Sequence, residues 1–505
     1  MEKRVILATI LSTLVIILWF YWTAPKKTTD ISEISQPSQE GSSIKTELTK
    51  EELKGTDYTI ETKSTKVIFN SVGGRIKHWF ANEDDIILQP LDNTFIPSNF
   101  STFPEKDFKL VRKTSDTIVF TTNLTNIKIL KEYKIKNSGF SNLNFSLENL
   151  TRSHIKFELP ILVGPGVGGT NLLERRQENS LTRSLVYAKK NKKFRPIRLK
   201  PNRDYKSDFQ WFALSNRYFV ISVINNGHID RISTKTVGSE RLVEGILATN
   251  IELPPKGKVD LTFDFYIGPK LYTELAELGY GLENVIDFGL FSSLSKLAFF
   301  SLKYFYNLTK NYGVAIIILT ILIQFITLPL TFKSYKSAKA MRTLQPKIKE
   351  LQMKYKDDPK RLNAEIMYLY RSQKVNPLGG CLPVLLQLPI FWALFTTLRN
   401  TFELRRAAFF LWINDLSSPD LLFSVFGFPL RVLPLLMGIS MLIQQNLTGG
   451  SSDPSQKTFA YLMPAMFTLI FWNFPSGLVL YWLVNSILSI VIQIIILRQP
   501  VLKES

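Results

Sequence analysis

Long runs without charge constrain this chain more than any other feature. Residues 311–332 and 375–398 contain no charged side chain, residues 421–447 contain only Arg431, and residues 458–497 are 40 consecutive uncharged positions. One bilayer crossing takes about 20 apolar residues. The 40-residue run is therefore long enough for two, with Pro475-Ser476-Gly477 as its natural turn. An earlier run, residues 5–22, follows Glu2, Lys3 and Arg4 and ends in Trp19-Phe20-Tyr21-Trp22. Bulky aromatics replace the small residues of a cleavage site, so residues 1–25 read as a retained signal anchor and not as a cleaved signal peptide. Six spans are expected in all.

The intervening chain is of a different kind. Residues 26–56 lack aromatics and periodicity and read as a flexible linker. Over residues 57–281, short alternating runs such as Thr117-Ile118-Val119-Phe120-Thr121 and Asn126-Ile127-Lys128-Ile129 are broken by Asn, Gly and Pro. That texture predicts an all-β sandwich. Residues 282–310 mix apolar residues with Glu283, Asp287, Lys296 and Lys303. They read as an amphipathic helix along the membrane surface, or alternatively as a core helix of the soluble domain.

Charge orients the spans. Residues 333–374 carry twelve Lys/Arg against four Asp/Glu, whereas residues 399–420 carry three of each. The positive-inside rule puts the first of these loops in the cytoplasm. It follows that both termini, including the tail at 499–505, are cytoplasmic and the β domain lies across the membrane. Within the basic loop, Met341, Leu344, Ile348 and Leu351 form one helical stripe and Leu362, Ile366, Leu369 and Tyr370 another. Asp358 and Pro359 start the second helix. The loop is thus a basic helical hairpin, either a docking surface for RNA, a targeting factor or anionic lipid, or simply an orienting charge.

Catalytic and metal chemistry find little material. Cys381 is the sole cysteine, there are three histidines, and none follows His228. No Cys-His pair can be assembled nearby in the spans, and paired carboxylates are missing from them as well. The run Gly164-Pro165-Gly166-Val167-Gly168-Gly169 lacks the Gly-Lys-Ser/Thr of a phosphate loop and reads as a turn. No enzyme activity, cofactor or metal is expected.

Several motifs point further. Asn376-Pro377-Leu378-Gly379-Gly380-Cys381, with Pro383, Gln387, Pro389-Ile390-Phe391 and Ala393-Leu394, resembles the third-span signature of the YidC membrane-protein insertases. Leu344-Gln345-Pro346-Lys347, Glu403-Leu404-Arg405, Trp412-Ile413-Asn414-Asp415-Leu416-Ser417 and Phe474-Pro475-Ser476-Gly477-Leu478-Val479-Leu480-Tyr481 follow in the family's order. Upstream, Trp211, Tyr218-Phe219-Val220 and Tyr266-Ile267-Gly268-Pro269-Lys270 are similar to the periplasmic domain of the Gram-negative members.

The resemblance implies an α-helical polytopic inner-membrane protein with a five-helix insertase core at 311–498. It also implies a water-containing groove that takes up nascent membrane proteins, alone or with the Sec translocon. The basic hairpin would face the ribosome and the signal recognition particle pathway, the lipid bilayer would receive the product, and the unit would be a monomer. Site residues carried over by motif are Thr320 as a polar groove position, Gln387, Leu388 and Phe391 as substrate-facing positions, and Tyr481 and Trp482 as an aromatic pair. Where the family usually has an arginine, four residues after Thr320, this chain has Gln324. An uncharged groove of Thr320, Gln324, Gln387, Gln444, Asn485 and Ser486 is the substitute expected here. The competing readings are that these side chains only join helices, and that the protein is a secondary transporter of a small solute or lipid.

Overall fold

The computed structural model describes residues 55–81, 84–87, 99–168, 181–190, 193–206, 208–237, 242–373, 375, 382–448 and 454–498. The signal anchor, most of the linker, the motif at 376–381 and the tail lie outside them. The chain divides into two compact units at Ile286 and Asp287.

The first unit is antiparallel β structure. Its nine-stranded sheet runs in the order Lys193–Arg198, Arg183–Lys190, Phe209–Ser215, Phe219–Ile224, Lys258–Pro269, Ser141–Asn149, Ile127–Lys134, Thr117–Leu124 and Lys109–Lys113. A four-stranded sheet orders Arg203–Tyr205, Arg231–Val237, Leu242–Leu253 and Ile155–Val163, and another joins Asp57–Glu61, Thr65–Asn70, Arg75–Ala81 and Asp84–Asp85. The period-two pattern sets which face is covered. Along Ile127–Lys134 the buried positions are Ile127, Ile129, Lys131 and Tyr133, and on the neighbouring strand Ile129 pairs with Leu147, Lys131 with Phe145 and Tyr133 with Leu143. One inward position in that series is a lysine.

Lys131 has no exposed surface. Its Nζ donates to the carbonyl oxygens of Phe100 (2.5 Å) and Gly73 (3.2 Å) and lies 3.4 Å from Thr102 Oγ1, with the rings of Tyr133, Phe145 and Phe108 within 5.8 Å. Burial pushes its pKa well below the usual lysine value. In the described part of the glycine-rich run, Gly164 and Gly166 take φ of 119° and 71°, and Asn216 Nδ2 donates to the carbonyls of Val167 and Gly168.

Among the described residues, eight helices follow in chain order: α1 (Tyr272–Leu278), α2 (Ser292–Thr309), α3 (Tyr312–Lys354), α4 (Pro359–Ser372), α5 (Leu382–Asn400), α6 (Val432–Thr448), α7 (Pro454–Phe471) and α8 (Ser476–Arg498). Helix α1 and the 3-10 turn Leu282–Val285 belong to the β unit, so the surface-helix segment of the sequence reading contributes only α2 to the second unit. One face of α2 buries Ser295, Ala298, Phe299 and Leu302, while Leu297, Phe300, Tyr304 and Leu308 are exposed.

Helix α3 is a single 43-residue rod, about 65 Å at 1.5 Å per residue. Asn311 caps it, with Oδ1 accepting from the amides of Gly313 (2.9 Å) and Val314 (3.1 Å). The sequence pattern separates a span at 311–332 from a hairpin arm at 337–356, but Lys333-Ser334-Tyr335-Lys336 holds no breaker and the helix runs through. Asp358 Oδ1 accepts from Arg361 N at 3.1 Å, with Pro359 at the first turn of α4. Helix α6 begins at Val432, eleven residues after the apolar run at 421–447 starts, because Phe423–Val425 and Phe428–Leu430 pair as a hairpin around Gly427.

Candidate functional site

The second unit has a membrane protein's surface. Ile321, Leu322, Phe325 and Ile326 on α3, Leu435, Leu436, Ile439 and Ile443 on α6, and Ile487, Val491 and Ile495 on α8 are all exposed. Such rows are unfavourable in water and ordinary against lipid. Among the described residues, Tyr312–Met341 and Ser476–Arg498 are long and apolar enough to cross a bilayer, and Val432–Leu447 and Tyr461–Phe471 are shorter apolar helices.

The inner faces are polar without being charged. Helix α8 packs against α3 and α6 and buries Asn485, Ser486, Ser489 and Gln493 on one side. Helix α3 buries Thr320, Gln324, Thr331 and Ser334, and α6 buries Ser440. Most hydroxyls here are satisfied by their own helix: Thr320 Oγ1 donates to Ile316 O (2.7 Å), Thr331 Oγ1 to Thr327 O (3.0 Å) and Ser440 Oγ to Met437 O (2.7 Å). Gln324 differs. It is 8% exposed, one turn from Thr320, and its amide makes no hydrogen bond among the described residues.

The structure brings two pairs of the sequence-derived site residues together. Phe391 meets Trp482 edge-on at 5.1 Å between centroids, in a cluster with Phe395, Phe467, Phe471 and Phe474. Those two rings join α5, α7 and α8, so packing occupies them. Tyr481 is 1% exposed; its Oη lacks a well-directed hydrogen-bond partner among the described residues, and Gln387 is the polar side chain it faces. Leu388, by contrast, is 55% exposed on α5.

Sequence reasoning missed the ties at the two ends of the bundle. Gln444 Nε2 donates to Tyr335 Oη (3.2 Å), with Ser489 as that hydroxyl's other polar neighbour. Lys339 Nζ donates to Ile496 O (3.2 Å) and Leu497 O (3.0 Å), placing a cation on the carboxyl end of α8. At the opposite end, Asp415 Oδ1 accepts from Arg406 N (3.0 Å), Ser417 N (2.8 Å) and Ser417 Oγ (2.7 Å), and its Oδ2 from Ser418 Oγ (2.8 Å). Ser476 N donates to Ser418 O and Gly477 N to Leu416 O, which seats this loop on the amino end of α8. Nearby, burial raises the Glu403 carboxyl above its ordinary range. The signal available in sequence was the Asp415-Leu416-Ser417 run, whose aspartate and serine suit an Asx turn.

A β-sandwich joined to apolar-surfaced, polar-seamed helices defines an integral membrane protein with a large extracytoplasmic domain. The comparisons make this particular. The 60Kd inner membrane protein family matches residues 304–503, and the YidC periplasmic domain family matches residues 99–301. The membrane protein insertase YidC of Endomicrobium trichonymphae is 44% identical over 446 residues, 87% of this chain and 85% of that protein. That of Geotalea daltonii is 33% identical over 541 residues, 97% of this chain and 98% of that protein. The crystal structure of an active YidC insertase with its first transmembrane domain resolved covers 96% of this chain and 98% of its own, at 18% identity and a TM-score of 0.40. The chain belongs to the YidC family of membrane protein insertases, inner-membrane proteins with a periplasmic domain.

Proposed function

We propose that this insertase works through an uncharged, lipid-open polar groove among α3, α5, α6, α7 and α8, the five helices of a core whose sixth span is the amino-terminal anchor. Nascent membrane proteins are its substrates. A hydrophilic chain end enters the groove from the cytoplasmic side, where the basic α3–α4 hairpin faces ribosomes and targeting factors. Less hydrocarbon then remains for its polar groups to cross. The following apolar segment passes along α5 into lipid, drawn by about 0.3 to 0.6 kcal/mol per central Leu, Ile, Phe or Val. The protein acts as a monomer, alone or beside the Sec translocon, and both termini are cytoplasmic.

The observation that carries this reading is Gln324: a largely buried residue whose amide makes no hydrogen bond among the described residues, on the same face as Thr320, in a helix whose outer face is apolar. A side chain that only joined helices would be bonded across them. The test uses a cysteine at 324, in a chain with Cys381 replaced by Ser, and a membrane-impermeant maleimide added from each side of reconstituted vesicles. Labelling from the cytoplasmic side is expected; no labelling from either side means a dry helix interface and ends the groove reading. Crosslinking to nascent chains is best placed at Leu388, whose side chain is free, and not at Phe391 or Trp482, whose rings are packed.

A further inference from the structure

The ten residues between Asp420 and Arg431 carry no charge and include Leu421, Leu422, Phe423, Phe426 and Leu430. They fold as a hairpin in which Val425 pairs with Phe428, leaving Phe426-Gly427 as a two-residue turn with φ of 49° and 80°. Both central residues are left-handed, as a type I′ turn requires. Phenylalanine is a poor choice for such a position on backbone grounds. Here it is 106% exposed at the tip, and Leu421, Leu422 and Phe423 are exposed beneath it.

The base of the hairpin is fixed. Asp420 Oδ2 accepts from Val432 N (2.8 Å), Leu433 N (3.0 Å) and Trp412 Nε1 (3.1 Å). Arg431 donates to Trp472 O and to Asn473 Oδ1, just past the end of α7. Strands of three residues at about 3.3 Å each keep the tip within roughly 10 Å of that end of the bundle. Below it, Leu435, Leu436, Ile439 and Ile443 continue the exposed apolar surface down α6. Helix α6 has 17 residues, about 26 Å, against a hydrocarbon core of about 30 Å. The uncharged hairpin extends the apolar surface where the helix stops short.

We propose that the hairpin Phe423–Leu430 is a lipid anchor, with Phe426 seated at the boundary of headgroups and acyl chains of the leaflet at that end, holding the amino terminus of α6 in register with the membrane. Its paired backbone suits the interface, where an unpaired loop would not. The inference rests on the helices spanning a bilayer and is independent of the groove.

The experiment uses the full chain with Cys381→Ser, reconstituted in phosphatidylethanolamine and phosphatidylglycerol vesicles. Bimane is attached to Phe426→Cys and, in a second variant, to Ser424→Cys, so that failure of one to fold leaves the other. Ile439→Cys serves as the lipid-facing reference and Lys356→Cys as the aqueous one. Lipids bearing a nitroxide at the fifth acyl carbon should quench the hairpin positions nearly as well as Ile439→Cys, with iodide quenching about fivefold weaker than at Lys356→Cys. Iodide quenching equal to the aqueous reference, without nitroxide quenching, overturns the proposal. Shielding from both quenchers overturns it too, since the cover is then protein, whether a second copy or another partner.

Discussion

Lys131 in the β unit and Gln324 in the helical unit are both buried polar side chains, held in opposite ways. In the β unit a lysine is enclosed and fixed: Lys131 Nζ is directed at two backbone carbonyls and a threonine hydroxyl under three aromatic rings. In the helical unit the buried polar side chains of α3 and α8 carry no charge, and the Gln324 amide makes no hydrogen bond among the described residues. Inside a sandwich core an unbonded polar group is only a cost. On the proposed groove reading, a bundle that receives polar chain from outside gains by keeping hydrogen-bonding capacity free and cheap to displace. An enclosed cation in such a bundle would require its own partner.

The largest effect should come from emptying the fixed site. Lys131→Ala removes its hydrogen bonds and leaves a cavity, at a cost of about 3 kcal/mol to the β unit. Denaturant unfolding of the detergent-solubilised chain, followed by tryptophan fluorescence, measures it. Lys131→Met fills the space and should cost less, because Thr102 N still donates to Gly73 O and Tyr133 Oη to Phe100 O. Equal losses for the two would mean that volume does not matter and that the bonds carry everything.

Next in size is the loop seated on α8. Asp415→Ala strips four hydrogen bonds from one carboxylate and should loosen residues 405–418 by about 2 kcal/mol. Faster tryptic cutting at Arg405 and Arg406 is the readout; unchanged cutting would show that the backbone bonds of Ser476 and Gly477 suffice alone.

Gln324→Leu should behave unlike either. No side-chain hydrogen bond among the described residues is lost, so thermal stability in detergent should hold or rise slightly. Insertion of substrates with polar tails should fall about tenfold, equivalent to 1.4 kcal/mol, while short hydrophobic substrates change little. Equal insertion of both classes would erase the contrast between the units.

Much of this was legible in the sequence, for reasons that also mark the limit. Uncharged runs locate apolar helices because solvation of charge in lipid is so unfavourable, and strand alternation located the sandwich. The Asp358-Pro359 start was readable because capping is a local interaction. The hairpin at 423–430 was not, since a run without charge has the same composition whether it is helical or an interfacial turn. Nor could sequence show that Phe391 and Trp482 pack on each other, or that Lys339 reaches the end of α8 some 157 positions away. Those depend on tertiary approach, and period alone carries no information about it. Lys131 sat in plain view at an inward strand position, where the alternation of Ile127, Ile129 and Tyr133 marks it as buried.

The smallest effect is a slope. Burial depresses the Lys131 pKa in the folded β unit, whereas in the unfolded chain it returns to about 10.4. Between those values the unfolded state binds more protons, so stability rises with pH through that window and is flat below the folded pKa. The slope cannot exceed about 1.4 kcal/mol per pH unit for one group. Tyr133, which contacts the lysine, does not interfere, because burial pushes its phenol upward and keeps it protonated throughout. The measurement is the difference in unfolding midpoint between the parent chain and Lys131→Met from pH 7 to 9.5, where other titrations cancel. The parent should gain on the variant as pH rises. Parallel curves would mean that Phe100 O, Gly73 O and the surrounding rings hold the ammonium as firmly as water does, making the β unit's buried cation a fully compensated charge.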